Sequence, residues 1–205
     1  IASGSTEAFA AEGLIFAIAG ALERSSECFQ TALMRNPHSA ETHYLLGRAC
    51  LSDLEFELAA AMFERAARLR ADDYQSLVLA GKMRESAGDL RAARMDFALA
   101  LPRINQALAS HPQDLRALCA KARCLLQLGK AHQSAPLMEK IAQHPDPMNY
   151  HLACTYARAD LPDCALDVLE EVVELGWRHG AWLERDPDFD RLRGEQRYKR
   201  IAAAM

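Results

Sequence analysis

The chain has 205 residues, half of them hydrophobic and a quarter charged, with a formal net charge of −4. That is enough chain for a substantial core in a soluble globular protein, and it excludes a disordered tail or a membrane-spanning protein. The net negative charge argues against a general nucleic-acid binder. Ala, Leu, Glu and Arg dominate while β-branched residues are sparse, so helix is expected throughout.

Residues 13 to 22 form the first long apolar run, too short to span a bilayer and without the basic flank of a secretory signal. Residue 1 is an isoleucine, so the chain is expected to be a fragment or a processed form. Farther along, three columns recur every 34 residues: Gly13, Gly47 and Gly81; Phe29, Phe63 and Phe97; Ala32, Ala66 and Ala100. Three columns in register identify a repeat. Each unit reads as a first helix with a small residue at a close approach, then a second helix whose small, large and small residues share one face.

The third unit carries a seven-residue insertion, close to two helical turns, so its second helix can lengthen and keep its buried face through Ile104 and Ala107. Pro102 lies inside that helix and predicts a bend or break near Leu101. The HPDP sequence at 144 to 147 reads as a short rigid turn, and Pro162 falls in the first turn of the last repeat's second helix, where proline is tolerated. In the tail, Trp182 and Leu183 are expected to close the apolar end. Arg191, Arg193, Arg197 and Lys199 would mix with Asp186, Asp188, Asp190 and Glu195 on a wetter outside.

This pattern resembles the tetratricopeptide repeat, a 34-residue helix-turn-helix. Position 1 falls at Thr6, Ala40, Tyr74, Leu115 and Asp146. The small eighth residues are then Gly13, Gly47, Gly81, Ala122 and Ala153, and the large twenty-fourth residues Phe29, Phe63, Phe97, Met138 and Leu169. The resemblance implies an all-α, right-handed tetratricopeptide repeat superhelix in a single domain, with repeats at about 6–39, 40–73, 74–114, 115–145 and 146–179 and a capping segment at 180–205. The closing sequence DPDFDRLRGEQRYKR also resembles modules attached to bacterial adenylate cyclases and serine/threonine protein kinases. It implies a protein-interaction scaffold or adaptor, in bacterial signalling, with a chaperone or assembly factor as the alternative.

In such a superhelix, first-helix positions 2, 5, 9, 12 and 13 face the groove. Position 9 holds Leu14, Arg48, Lys82, Arg123 and Cys154, so three consecutive units place a cation in one column. Tyr44 and Tyr150 stand at position 5 and Arg116 at position 2. The expectation is a partner-binding groove of Tyr44, Arg48, Lys82, Arg116, Arg123 and Tyr150, suited to an acidic protein or peptide segment. The opposing reading has the cations merely solvating that surface or pairing with Glu85 and its neighbours. The positions at which the family's chaperone-tail clamp needs lysine and asparagine hold Ala10, Leu14 and Leu45, which argues against that ligand.

Leu14, Ala17 and Ile18 mark a second candidate, an apolar contact face on a helix hydrophobic nearly all round. An upstream element, an apolar partner residue or self-association would cover it. No enzyme, cofactor or metal is expected, an enzyme with a site assembled across repeats standing as the last alternative. His43 and Cys50 share a face but lie about 10.5 Å apart along the axis, beyond the reach of a proton transfer. Cys50 and Cys124 take packing positions, and the six cysteines suit a reduced, cytoplasmic setting. His38, His111, His132, His144, His151 and His179 form no metal-spacing motif.

Overall fold

The computed structural model describes residues 4–51, 54–143, 150–176 and 180–205; it leaves the side chains of His151, Ala181 and Trp182 undescribed. The HPDP turn with His144 and Asp146, His179, and the side chains of His151 and Trp182 therefore lie outside the described residues. The described residues form α-helices and one short 3-10 turn, with no strand. The chain divides into two compact units, Ile1–Arg103 and Ile104–Met205.

In the first unit, α1 (Thr6–Ile18) pairs with α2 (Leu22–Arg35), and α3 (Ala40–Cys50) with α4 (Phe56–Leu69), while α5 (Tyr74–Ser86) follows against α4. The first helices α1 and α3 also lie against each other. Each pair closes on a glycine: a Cβ on Gly13, Gly47 or Gly81 would stand 2.8, 2.9 or 2.8 Å from the ring of Phe29, Phe63 or Phe97. No real Cβ tolerates that spacing, so the recurrent Gly and Phe are two halves of one contact. Ser25 adds a hydroxyl that donates to the Gly13 carbonyl at 2.9 Å.

First helices start on a side-chain cap. Ser5, Ser39 and Asp73 accept from the amides of Ala8, Thr42 and Ser76, and Asp114 repeats the contact on Ala117. These caps satisfy amides that a helix start leaves orphaned. Among the described residues, the turn inside each repeat has one in the left-handed region: Gly20, Leu54, Gly88, Gly129 and Asp160, with φ between 57° and 84°.

The long helix α6 (Leu90–Ser110) runs unbroken through Pro102, so of the expected bend or break the break does not occur. Pro102 and Ala98 are both exposed, so the carbonyl that proline leaves without its amide faces water. Phe97, Ala100 and Ile104 keep the inner face buried across the proline. With 21 residues against 14 in α2 and α4, the insertion is taken up as extra helix. Its Arg103 donates to the carbonyls of Ala67, Arg70 and Asp73, closing the carboxyl end of α4, where a cation is favoured.

In the second unit, α7 (Leu115–Gln127) pairs with α8 (Ala131–Ala142) and α9 (Tyr150–Arg158) with α10 (Pro162–Glu174). Ala122 and Met138 share one core, Ala153 and Leu169 another. Ser134 donates to the Ala122 carbonyl at 2.9 Å, repeating the Ser25 contact. Helix α11 (Gly180–Arg185), the 3-10 turn Pro187–Phe189 and α12 (Gln196–Ala203) close this unit. Leu183, Phe189, Leu192, Tyr198 and Ile201 join its core.

Candidate functional site

The first-helix columns are occupied differently in the two units. In the second, the 3-10 turn lies on α9. Asp186 accepts from the amide of Asp188 and caps this turn, with Pro187 as its first residue. Arg123 donates to Asp188 at 2.7 Å, the two side chains only 6% and 2% exposed, and the Tyr150 hydroxyl donates to Asp186 at 2.8 Å. The Cys154 thiol faces the same Asp186 oxygen at 3.8 Å, and the ring of Phe189 lies 5.7 Å from that of Tyr150. Burial, joined by the neighbouring carboxylates, pushes the Tyr150 phenol well above its ordinary value and so keeps it a hydrogen-bond donor.

Asp186 and Asp188 are thus buried, contrary to their expected place on the wet outside. Of the rest of that set, Arg191, Arg193, Asp190, Glu195 and Lys199 are exposed as expected from the sequence, and Arg197 is half-buried against Asp167 and Glu170. The reason is the cation at position 9. Arg123 is buried by the closing segment, and an unpaired buried guanidinium would be costly, so a carboxylate must follow it inside. Cys154, Asp186 and Asp188 bring ligand-type atoms within 4.8 Å of one another, a spacing a cation could bridge. Arg123 and Tyr150 already direct donors at both carboxylates, so the arrangement works as an internal ion pair with a phenol lock.

In the first unit, Tyr44 is half-buried, its ring edge-on to Phe63 at 5.7 Å, and Arg48 is half-buried one turn on. Lys82 is buried at 8% exposure, away from the open column expected for it. Long aliphatic stems allow such burial when the ammonium keeps a polar neighbour. Arg116 is exposed at the start of α7. Of the six expected groove residues, Arg123 and Tyr150 serve the closing segment, Lys82 is covered, and Tyr44, Arg48 and Arg116 retain exposure.

The apolar face is also revised. Ala17 is in the core with Ala10, Phe29, Ala32 and Ala49, and Leu14 packs against that core. Ile18 is exposed at 68%, joined by Ile15 at 62%. A helix apolar on nearly every side gives no amphipathic signal to say which residues turn inward. His43 contacts the Pro37 carbonyl at 3.1 Å through Nε2, a contact that ties the inter-repeat turn to α3. Cys124 is buried, and that burial pushes its thiol up to about 12, far from a reactive thiolate.

A second polar cluster, in the first unit, was not foreseen. Arg84 of α5 donates to Asp96 of α6 at 2.6 Å and to Glu64 of α4 at 2.7 Å, and Glu64 also holds Arg68. Burial raises the Asp96 carboxyl to about 6 even though the Arg84 guanidinium pulls it back. Burial also works against the Glu64 charge, but the donors of Arg68 and the charge of Arg84 outweigh it and hold that carboxyl below its ordinary value.

Paired helices, glycine close approaches and a capped end define a helical repeat protein. The tetratricopeptide repeat family model matches residues 11–75 and 86–147, more than half of the chain, and the chain belongs to that family. A solved structure titled "Functional Characterization of Pseudomonas Aeruginosa pilF" shares the fold, with a TM-score of 0.55 at 18% identity over 98% of this chain and 97% of that one. A search of the curated proteins finds no match. None of these comparisons bears on the resemblance of the closing sequence to cyclase and kinase modules. No helix among the described residues is long and apolar enough to cross a membrane.

Proposed function

We propose that this chain is an adaptor that holds an acidic segment of a partner protein on the first-helix surface of its N-terminal unit, with Tyr44 and Arg48 as the contacts. The observation that carries this reading is the internal contact of the second unit. There, positions 9 and 5 of the same columns hold carboxylates, Arg123 on Asp188 at 2.7 Å and Tyr150 on Asp186 at 2.8 Å. The columns are thus chemically suited to an acidic turn. The closing-sequence resemblance favours a signalling partner over an assembly partner. Single exposed ion pairs are worth ~0–1 kcal/mol, so the affinity rests on several contacts and an apolar anchor.

A fluorescent peptide carrying an Asp-Pro-Asp turn tests this directly. It is expected to bind the protein in a salt-dependent way, and Arg48→Glu is expected to weaken binding by about tenfold while helicity is kept. Equal binding by both proteins would reject the assignment.

A further inference from the structure

Two helix faces, one in each unit, carry charges that oppose the helices they sit on. In α6 the exposed Arg91 and Arg94 stand in the first two turns, where the helix dipole is positive, although the Asp89 carboxylate accepts from the Ala92 amide at the helix start. In α10 the exposed Glu171 and Glu174 stand in the last turn, where the dipole is negative and no basic residue offsets it. Each pair has the sign that the dipole of its own helix opposes. None of the four makes an ion pair among the described residues; in α10, Arg197 takes Asp167 and Glu170.

The two faces also match in spacing. Residues 91 to 95 read Arg-Ala-Ala-Arg-Met, and residues 171 to 175 read Glu-Val-Val-Glu-Leu. Both have two charges three residues apart on one helical face, about 4.5 Å along the axis, followed by an exposed apolar side chain. That side chain is Met95, 59% exposed, on one face and Leu175, 51% exposed, on the other. Leu90 and Leu99 widen the apolar part of the α6 face at 61% and 58% exposure.

We propose that the α6 face of one molecule docks on the α10 face of a second copy, Arg91 and Arg94 against Glu171 and Glu174, with Met95 against Leu175. Such a contact brings the positive end of one helix to the negative end of the other, so the dipoles attract as well as the side chains. It joins two different surfaces, hence it is head-to-tail and leaves one face of each kind open at the ends of the assembly. It is weak, concentration-dependent and sensitive to salt. It does not rest on the partner-binding reading at Arg48.

Light scattering coupled to size exclusion at low salt, with protein at a few hundred micromolar, reads the contact. The wild type is expected to show a mass rising with concentration above 22.7 kDa and returning to it in high salt. Arg91→Glu/Arg94→Glu alone and Glu171→Lys/Glu174→Lys alone are each expected to stay monomeric, since each then sets like charges against like. Both variants place charge in harmony with the helix dipole, so folding is preserved and circular dichroism checks it. Mixed one to one, the two variants are expected to associate again, because each supplies the face the other lacks. A wild type monomeric throughout, or double variants that associate as the wild type does, would overturn the proposal; the second result would point to the exposed Ile15 and Ile18 of α1.

Discussion

The N-terminal unit closes its helix pairs with Gly13, Gly47 and Gly81 under phenylalanine rings; the C-terminal unit has Ala122 and Ala153 in the same cores as Met138 and Leu169. The two units also differ in where a guanidinium withdrawn from the surface finds its anion. Arg84 takes Asp96 from the next helix of the repeat array, whereas Arg123 takes Asp188 from the non-repeating tail. A ring fills the space between helices only if its neighbour gives up a Cβ; a flexible Met or a smaller Leu lets the Cβ stay. The lesson is that the repeat conserves a volume shared by two positions, and that its end must be closed by chemistry the repeat itself does not encode.

The largest expected effect is at that end. Arg123→Met leaves the Asp188 carboxylate buried without its cation and is expected to cost about 3–5 kcal/mol, read by urea unfolding. Arg123→Met with Asp188→Leu removes both charges and should recover most of the loss. If the double variant is as unstable as the single one, the contact matters through geometry in the 3-10 turn and not through charge. Hydrogen exchange is expected to show the opening concentrated in residues 104–205.

Next comes the Gly–Phe exchange. Gly47→Ala drives a methyl to 2.9 Å from the Phe63 ring and is expected to cost about 1–3 kcal/mol by overpacking. Adding Phe63→Leu recreates the Ala and Leu pair of the last repeat, so the two changes should couple favourably in a double-mutant cycle. Additive losses would break the idea that the two positions share one volume.

Most of the architecture was readable because this contact is local and periodic. Gly47 and Phe63 lie sixteen residues apart in one unit, and the pattern repeats. The Ser5, Ser39, Asp73 and Asp114 caps and the left-handed position of Gly20, Gly88 and Gly129 repeat just as regularly, but they lie in turns and escape a search for apolar columns. The site was less readable. Register places Arg123 on the first-helix face, yet Asp188 is 65 residues away in sequence without periodicity, so nothing local says that the face is covered. Ala17 was missed for the opposite reason: every side of α1 is apolar, so its inward face has no contrast.

A smaller effect separates the two carboxylates around Arg84 by pH. The Asp96 carboxyl lies at about 6 in the folded protein, above the ~3.9 of an unfolded chain. The folded state therefore binds the proton more tightly, and the contribution of this group is most favourable at and below the unfolded pKa and declines as pH rises through about 6. Glu64, held low by Arg68 and Arg84 against its burial, has the opposite sign and loses its contribution as pH falls. Asp96→Asn should remove only the first term, so its unfolding midpoint gains on that of the wild type between pH 4 and 6 and runs parallel above. Parallel curves through the whole range would place the burden of desolvation elsewhere in the cluster.

The smallest effect distinguishes the N-terminal unit from within. Its three repeat turns place Gly20, Leu54 and Gly88 in the left-handed region, and Leu54 has φ 57°. A Cβ there approaches the following carbonyl, at a cost of ~1–2 kcal/mol, which glycine escapes. Leu54 is 52% exposed, so its side chain returns little by burial. Leu54→Gly is expected to stabilise the protein by about 0.5–1 kcal/mol, because the relief of strain exceeds the extra freedom glycine gives the unfolded chain. The reverse change, Gly20→Leu, should destabilise by a similar amount, since a Cβ at Gly20 meets no atom within 4 Å and only the backbone opposes it. Opposite signs for the two substitutions would identify the turn conformation as the shared constraint, while a loss in Leu54→Gly would mean that the leucine contributes packing which outweighs its strained backbone.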